Sequence, residues 1–151
     1  DGPQRTHGLP YCKNDWILNL DADEFLDIDA EDFILKEKYL LGNYDAFSFR
    51  VKNFLDDKLI DFAGWYPDHK VRFFNKNTAR PSESIVHQKI ITQNEKKVAV
   101  HILHYGWESL EQIISKKNQY SGWHAQQLFD QGKRVNAFKP VLNGLVAFIR
   151  C

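Results

Sequence analysis

Methionine is absent from the 151 residues, even at position 1, and cysteine occurs only as Cys12 and Cys151. Two thiols at opposite ends make neither a disulfide framework nor a zinc site, so unpaired cysteines of a reducing compartment are expected. The missing methionine and the abrupt start at Asp1 read as a piece of a longer protein. Charge of one sign is lacking too, because 20 Lys+Arg stand against 20 Asp+Glu. With no basic field to hold a phosphate backbone, a nucleic-acid partner is not expected. Apolar runs last only a few residues, against the roughly 20 that cross a bilayer. No basic stretch followed by an apolar one opens the sequence as a secretory leader would. Repeats, low-complexity tracts and Pro/Gly/Ser-rich linkers are also missing, so residues 1–151 are treated as one structural unit.

What is present is strongly patterned. Residues 3–13 suggest a short helix or turn limited by Pro10. Asp15 to Asp21 is a mostly apolar run ending in an acid, as a buried strand of a parallel or mixed sheet would be. From Asp29 to Leu41 apolar residues recur at helical spacing, with Asp29 placed as N-cap and Gly42 after the end. The period then changes: Asp45 to Phe54 alternates, predicting a strand with one buried face. Asp56-Asp57 forms a turn into a returning strand over Lys58 to Phe62. Val71 to Phe74, Ser84 to Ile91 and Val98 to Leu103 give three more strands. Helices follow over Ser109 to Asp130, stopped by Gly132, and over Pro140 to Ile149. This order is an α/β mixture with an antiparallel-rich second half.

The strongest local feature is Asp21-Ala22-Asp23-Glu24, which closes the apolar strand. Ligands of open α/β sheets bind outside the carboxyl ends of strands. Two carboxylates there can turn toward one hard cation, leaving positions for water and phosphate oxygens. Alone the D-x-D pattern is weak: 13 aspartates in this length yield about one such pair by chance, and helix capping or loop solvation remains the other reading.

The ordered set is more specific. Gln4-Arg5, then Asn14 to Glu24, Gly64-Trp65-Tyr66-Pro67-Asp68-His69-Lys70-Val71-Arg72-Phe73-Phe74, Ile85-Val86-His87-Gln88-Lys89 and Ile102-Leu103-His104-Tyr105 cover most of residues 3–150. Together they resemble family 2 glycosyltransferases of the GT-A fold, in the branch of bacterial lipopolysaccharide-core and related envelope-glycan enzymes. The resemblance implies the central and C-terminal portion of a GT-A-like domain, with a mixed sheet and flanking helices. Its D-x-D strand would lie at 15–24, its acceptor-side strands at 45–104 and its C-terminal helices at 107–150. The part holding the nucleotide base and ribose would lie before Asp1.

By the same resemblance, Asp21, Asp23 and His104 would hold Mg²⁺ or Mn²⁺, while Arg5, Asp21, Asp23 and Arg72 would face the donor diphosphate. Glu24, Trp65, Tyr66 and His87 would touch substrate, the two aromatics as a platform for a sugar ring. Asp68, followed by Arg72 at the family's spacing, would be the catalytic base. Its alternative is a Pro67-Asp68 turn, and Asp61 and Glu83 are the next bases in line. Thr6 stands where the family has Asn, and Gln88 where it has an acid. Strand alternation puts His101 and His104 on opposite faces.

The expected activity is therefore inverting, metal-dependent transfer from a nucleotide-diphospho-sugar, a UDP-sugar first, to a glycan or glycolipid. It would take place in the cytoplasm or at the cytoplasmic face of the inner membrane, with the last helix as a peripheral membrane contact. The alternative is a non-catalytic glycan- or partner-binding domain with a degraded site, suggested by Thr6 and Gln88.

Overall fold

The computed structural model describes residues 6–36, 40–62, 64–82, 88–133 and 138–150. The chain divides into two compact units, 1–109 and 110–151, at a point where composition marks no boundary. The first unit holds all the strands of the described residues. These are β1 (Trp16–Leu18), β2 (Glu24–Leu26), β3 (Ala46–Leu55), β4 (Lys58–Ile60), β5 (Asp68–Asn75), β6 (Arg80–Pro81), β7 (Ile90–Ile91) and β8 (Glu95–Trp107). A mixed sheet has the order β1-β5-β3-β8-β2, with β4 also on β3; β6 and β7 form a separate pair. Among the described strands only β3 and β8 pair in parallel.

The apolar run after Asp15 is shorter than its sequence suggests and differently placed. β1 is a three-residue strand at the sheet edge, paired antiparallel to β5, with Leu18 38% exposed. One further bond continues the same register, from the Asn19 N–H to the Arg72 carbonyl (2.7 Å), and the chain then leaves the sheet edge in a turn closed by the Glu24 N–H on the Asp21 carbonyl (3.0 Å). The loop 19–23 thus joins the two edge strands, β1 and β2, of one curled sheet.

β3 also departs from its alternating pattern. Ala46, Phe47, Ser48 and Phe49 are all buried, because both faces are covered. On one face helix α1 (Ile28–Lys36) brings Ala30, Phe33 and Ile34 against Phe47, Phe49, Phe73 and Ile102. The Phe47 ring lies 5.3–6.0 Å from those of Trp16, Phe33, Tyr44 and Phe73. Burying each such ring stabilises the fold by roughly 1.5–3 kcal/mol. On the other face Ala46, Phe74 and Ala79 form a second cluster with Leu9, Ile17, Val71 and Ile90.

α1 starts one step before the expected cap. Asp27, not Asp29, precedes it: its carbonyl accepts from the Ala30 and Glu31 N–H groups, and its carboxylate from that of Ile28. Asp29 and Glu31 lie in the first turn, where the helix dipole favours acids. The turn at Asp56-Asp57 is present, with Asp56 at φ 55°. Of the strand expected over 84–91, Ile90–Ile91 is present, and 83–87 lie outside the described residues.

The second unit consists of α2 (Leu110–Asp130) and α3 (Phe138–Arg150). α2 ends as the glycine predicts: Gly132 takes φ 70°, and the Gly132 and Lys133 N–H groups return to the Phe129 and Leu128 carbonyls.

Candidate active site

Two apolar rows of the core run into a polar end. On β3 Phe47, Phe49 and Val51 are followed at the same period by Asn53; on β8 Val98, Val100 and Ile102 are followed by His104. Asn53 and His104 are neighbours in register, and the His104 Nδ1 lies 2.7 Å from the Asn53 Oδ1. The other His104 nitrogen, Nε2, is 3.5 Å from the Asp23 Oδ2. Asp23 is held there by its backbone, whose carbonyl accepts from the Tyr105 N–H (2.9 Å).

The rest of the acidic loop is locked from below. Register between β3 and β5 steps from Phe47↔Phe73 to Ser48↔Val71, leaving Arg72 as an extra residue. Such bulges re-aim a side chain. The Arg72 guanidinium, 5% exposed, donates to the Asp21 Oδ2 (2.8 Å) and to the Glu24 carboxylate, whose second oxygen accepts from the Asp21 N–H. Arg72 and Glu24, expected to face donor and substrate, are therefore buried partners of each other, and Asp21 is tied to the same cation.

An open pocket of about 290 Å³ lies beside His104, lined by Asn53, Gly64, Trp65, Asp68, Lys70 and Trp107 as well. Asp68 begins β5, its side chain 43% exposed and 3.6 Å from the Lys70 Nζ. Gly64, at φ 77°, turns the chain into Trp65, whose ring meets that of Trp107 edge-on at 6.1 Å. The Trp65 carbonyl accepts from the Asn53 Nδ2 (3.3 Å). Tyr66 goes elsewhere: its hydroxyl is 3.1 Å from the His101 Nε2. His101 and His104 lie three residues apart on an unbroken stretch of pairing and so face opposite ways, as alternation predicts. Burial holds the His101 imidazole below its ordinary 6.5, Lys52 and Arg50 push the same way, and Asp27, 3.9 Å away, opposes them.

Of the sequence-selected residues, the structure thus gathers Trp65, Asp68 and His104 around one pocket, with Asp23 3.5 Å from the His104 Nε2. Arg5, His87 and the reserve base Glu83 lie outside the described residues, and Asp61 is exposed away from the pocket lining. Thr6 and Gln88, the two departures from the family pattern, meet each other: the Gln88 Nε2 donates to the Thr6 Oγ1 (3.1 Å). Sequence reasoning missed Asn53, Lys70 and Trp107. Only Asn53 had a signal, as a polar residue at the position where the β3 pattern asks for an apolar one. Among the described residues no three His, Cys, Asp or Glu side chains group closely enough to hold a metal ion by themselves. A Mg²⁺-type site needs no such cage, since one or two carboxylates plus substrate phosphates suffice.

No family model matches the chain. Its relatives, however, share one description. The chain is similar to proteins named as glycosyltransferases. An uncharacterized glycosyltransferase of Rickettsia conorii is 30% identical over 154 residues, which cover 90% of this chain and 52% of that protein. One of Rickettsia bellii is 32% identical over 149 residues, 87% of this chain and 49% of its own. The lipopolysaccharide core biosynthesis glycosyltransferase LpsC of Rhizobium meliloti is 26% identical over 155 residues, 97% of this chain and 56% of its own. The chain spans about half the length of the curated relatives it matches.

Proposed function

We propose that this chain carries the metal- and acceptor-side part of an inverting glycosyltransferase of family 2 and GT-A type. Its donor is a nucleoside-diphospho-sugar, a UDP-sugar first, and its acceptor a glycan or glycolipid of the bacterial envelope, such as a lipopolysaccharide core. One observation carries this reading: a carboxylate (Asp68), a histidine backed by a second carboxylate (His104 and Asp23) and two indoles (Trp65 and Trp107) converge on a single open pocket. In the proposed reaction Asp68 takes the proton of the acceptor hydroxyl as that oxygen bonds to the anomeric carbon. The bond from that carbon to the diphosphate oxygen breaks, and its electron pair leaves with the nucleoside diphosphate. Asp23 and His104, with Asp21 two residues before Asp23 on the same loop, are the residues that would hold Mg²⁺ or Mn²⁺. When bound, the ion offsets charge growing on the leaving diphosphate. The indoles offer flat apolar faces to a sugar ring.

The test is product formation by the full-length protein from UDP-sugars and core oligosaccharide acceptors, followed by mass spectrometry. Asp23→Asn is expected to lower turnover at least about 100-fold, the scale of one lost electrostatic stabiliser. Full turnover in that variant would sink the mechanism.

The lipid-linked class of acceptor is supported by α3. Phe138, Val141, Leu142, Leu145, Val146, Phe148 and Ile149 are all exposed. At 100° per residue they fill one arc of about 160°, with Lys139 along one flank. No acid occurs from residue 131 to 151. We therefore place the enzyme at the cytoplasmic face of the inner membrane, lying on it through α3; none of the described helices is long and apolar enough to cross it. The protein should co-sediment with vesicles containing anionic phospholipid and lose them on Leu142→Asp/Leu145→Asp. Equal sedimentation of both forms would exclude this contact.

A further inference from the structure

The hydrogen bonds around Asn53 leave its amide one orientation. The Trp65 carbonyl can only accept, so the Asn53 Nδ2, 3.3 Å from it, must be the group that faces it. That turns the Asn53 Oδ1 toward the His104 Nδ1, 2.7 Å away. A carbonyl oxygen also only accepts, so Nδ1 must carry the hydrogen. In the neutral ring the remaining nitrogen, Nε2, then presents a lone pair, and the Asp23 Oδ2 lies 3.5 Å from it. Two electron-rich atoms are held face to face, an arrangement suited to a cation between them. The amide that sets this up is 6% exposed and lies on the strand next to His104.

Gly106 completes the arrangement. It falls where the pairing of β3 with β8 slips, between Asn53↔His104 and Leu55↔Trp107. A Cβ there would lie 2.4 Å from the His104 Nε2, 2.8 Å from its Cε1 and 3.2 Å from the Asp23 Oδ2. Only a residue without a side chain lets the ring stand where it does.

We propose that Asn53 is a positioning residue which holds His104 in the Nδ1–H tautomer, so that Nε2 faces Asp23 as a cation ligand, and that Gly106 keeps the space for that ring. This deepens the glycosyltransferase reading and rests on it for the purpose of the cation. The chain of cause starts from a backbone carbonyl of the loop bearing Trp65 and ends at the acidic loop. The order of the indole pocket and the readiness of the cation site are thereby linked through one amide.

The test separates tautomer from metal. Long-range ¹H–¹⁵N spectra of the chain are recorded at about pH 8.5, where an imidazole is neutral, with His104 assigned from the signals lost in His104→Gln. The Nδ1–H tautomer is expected in the wild type, and its loss in Asn53→Leu. Mn²⁺ affinity, followed by electron paramagnetic resonance, should fall about 10–100-fold in Asn53→Leu, the usual effect of removing a group that orients a ligand. Gly106→Ala, which leaves the amide intact, should lose affinity to a similar extent. An Nε2–H ring in the wild type overturns the proposal without any variant having to fold. So does Asn53→Leu with unchanged spectrum and unchanged affinity. If the tautomer behaves as stated but no form binds Mn²⁺ with or without UDP, the positioning role stands and the metal-bearing reading of the site falls.

Discussion

Replacing Asp68 by Asn in the full-length enzyme is expected to lower kcat by about 10²–10⁴, the usual contribution of a positioned general base. The amide keeps the size and shape of the carboxylate and can still hydrogen-bond the acceptor hydroxyl, but it cannot take the proton. KM for the donor should move little, because Asp68 acts on the acceptor side of the proposed transfer. Stability should move little as well. Asp68 pairs with Lys70, whose side chain is 38% exposed against 43% for the aspartate. Pairs so open to water contribute about 0–1 kcal/mol. Steady-state kinetics beside a thermal melt therefore separate loss of chemistry from loss of fold. A drop of less than about tenfold would place the base elsewhere, with Asp61 and Glu83 the next to be changed.

The largest stability effect is expected from Arg72→Met, at about 3–5 kcal/mol in urea unfolding, because removing one partner strands a buried charge. Glu24 is that charge: its side chain is 1% exposed, and the Arg72 guanidinium is its cation. Against a typical total of about 5–15 kcal/mol, such a loss threatens the whole strand-bearing unit. Adding Glu24→Gln should restore a good part of it, since a neutral amide costs far less to bury than an unpaired carboxylate. A loss below about 1 kcal/mol would show that the pair does not hold the unit together. The same cation ties Asp21 to β5, so the loop bearing Asp21 and Asp23 should loosen before the core does. Arg72 thus supports the site from beneath, a role for which its spacing from Asp68 carries no sign.

Much of this was legible in the chain. The helices are local, their stripes repeat every three or four residues, and a glycine ends α2 through its own backbone freedom. The turn at Asp56-Asp57 and the strands around it follow from alternation and turn chemistry. Asp23, Asp68, Trp65 and His104 could be chosen as candidates, Asp68 and His104 through the resemblance of the ordered segments to a family. Where the structure adds what the reading did not contain, the deciding contact is distant in sequence. Residue type makes Arg72 a ligand for diphosphate; a bulge in β5 makes it a buried clamp on Glu24, 48 positions away. Tyr66 stands next to Trp65 in sequence, yet it hydrogen-bonds His101 away from the pocket.

By itself, then, the sequence determined the kind of elements, their order and the residue types available for chemistry, because these depend on periods of two and 3.6 and on local backbone preferences. Which of those residues meet was decided only by the curl and register of the sheet. Parallel pairing of β3 with β8 sets Asn53 beside His104, and the short loop between the two edge strands lays Asp23 against that histidine. Register acts between strands far apart in the chain, and no local pattern encodes it.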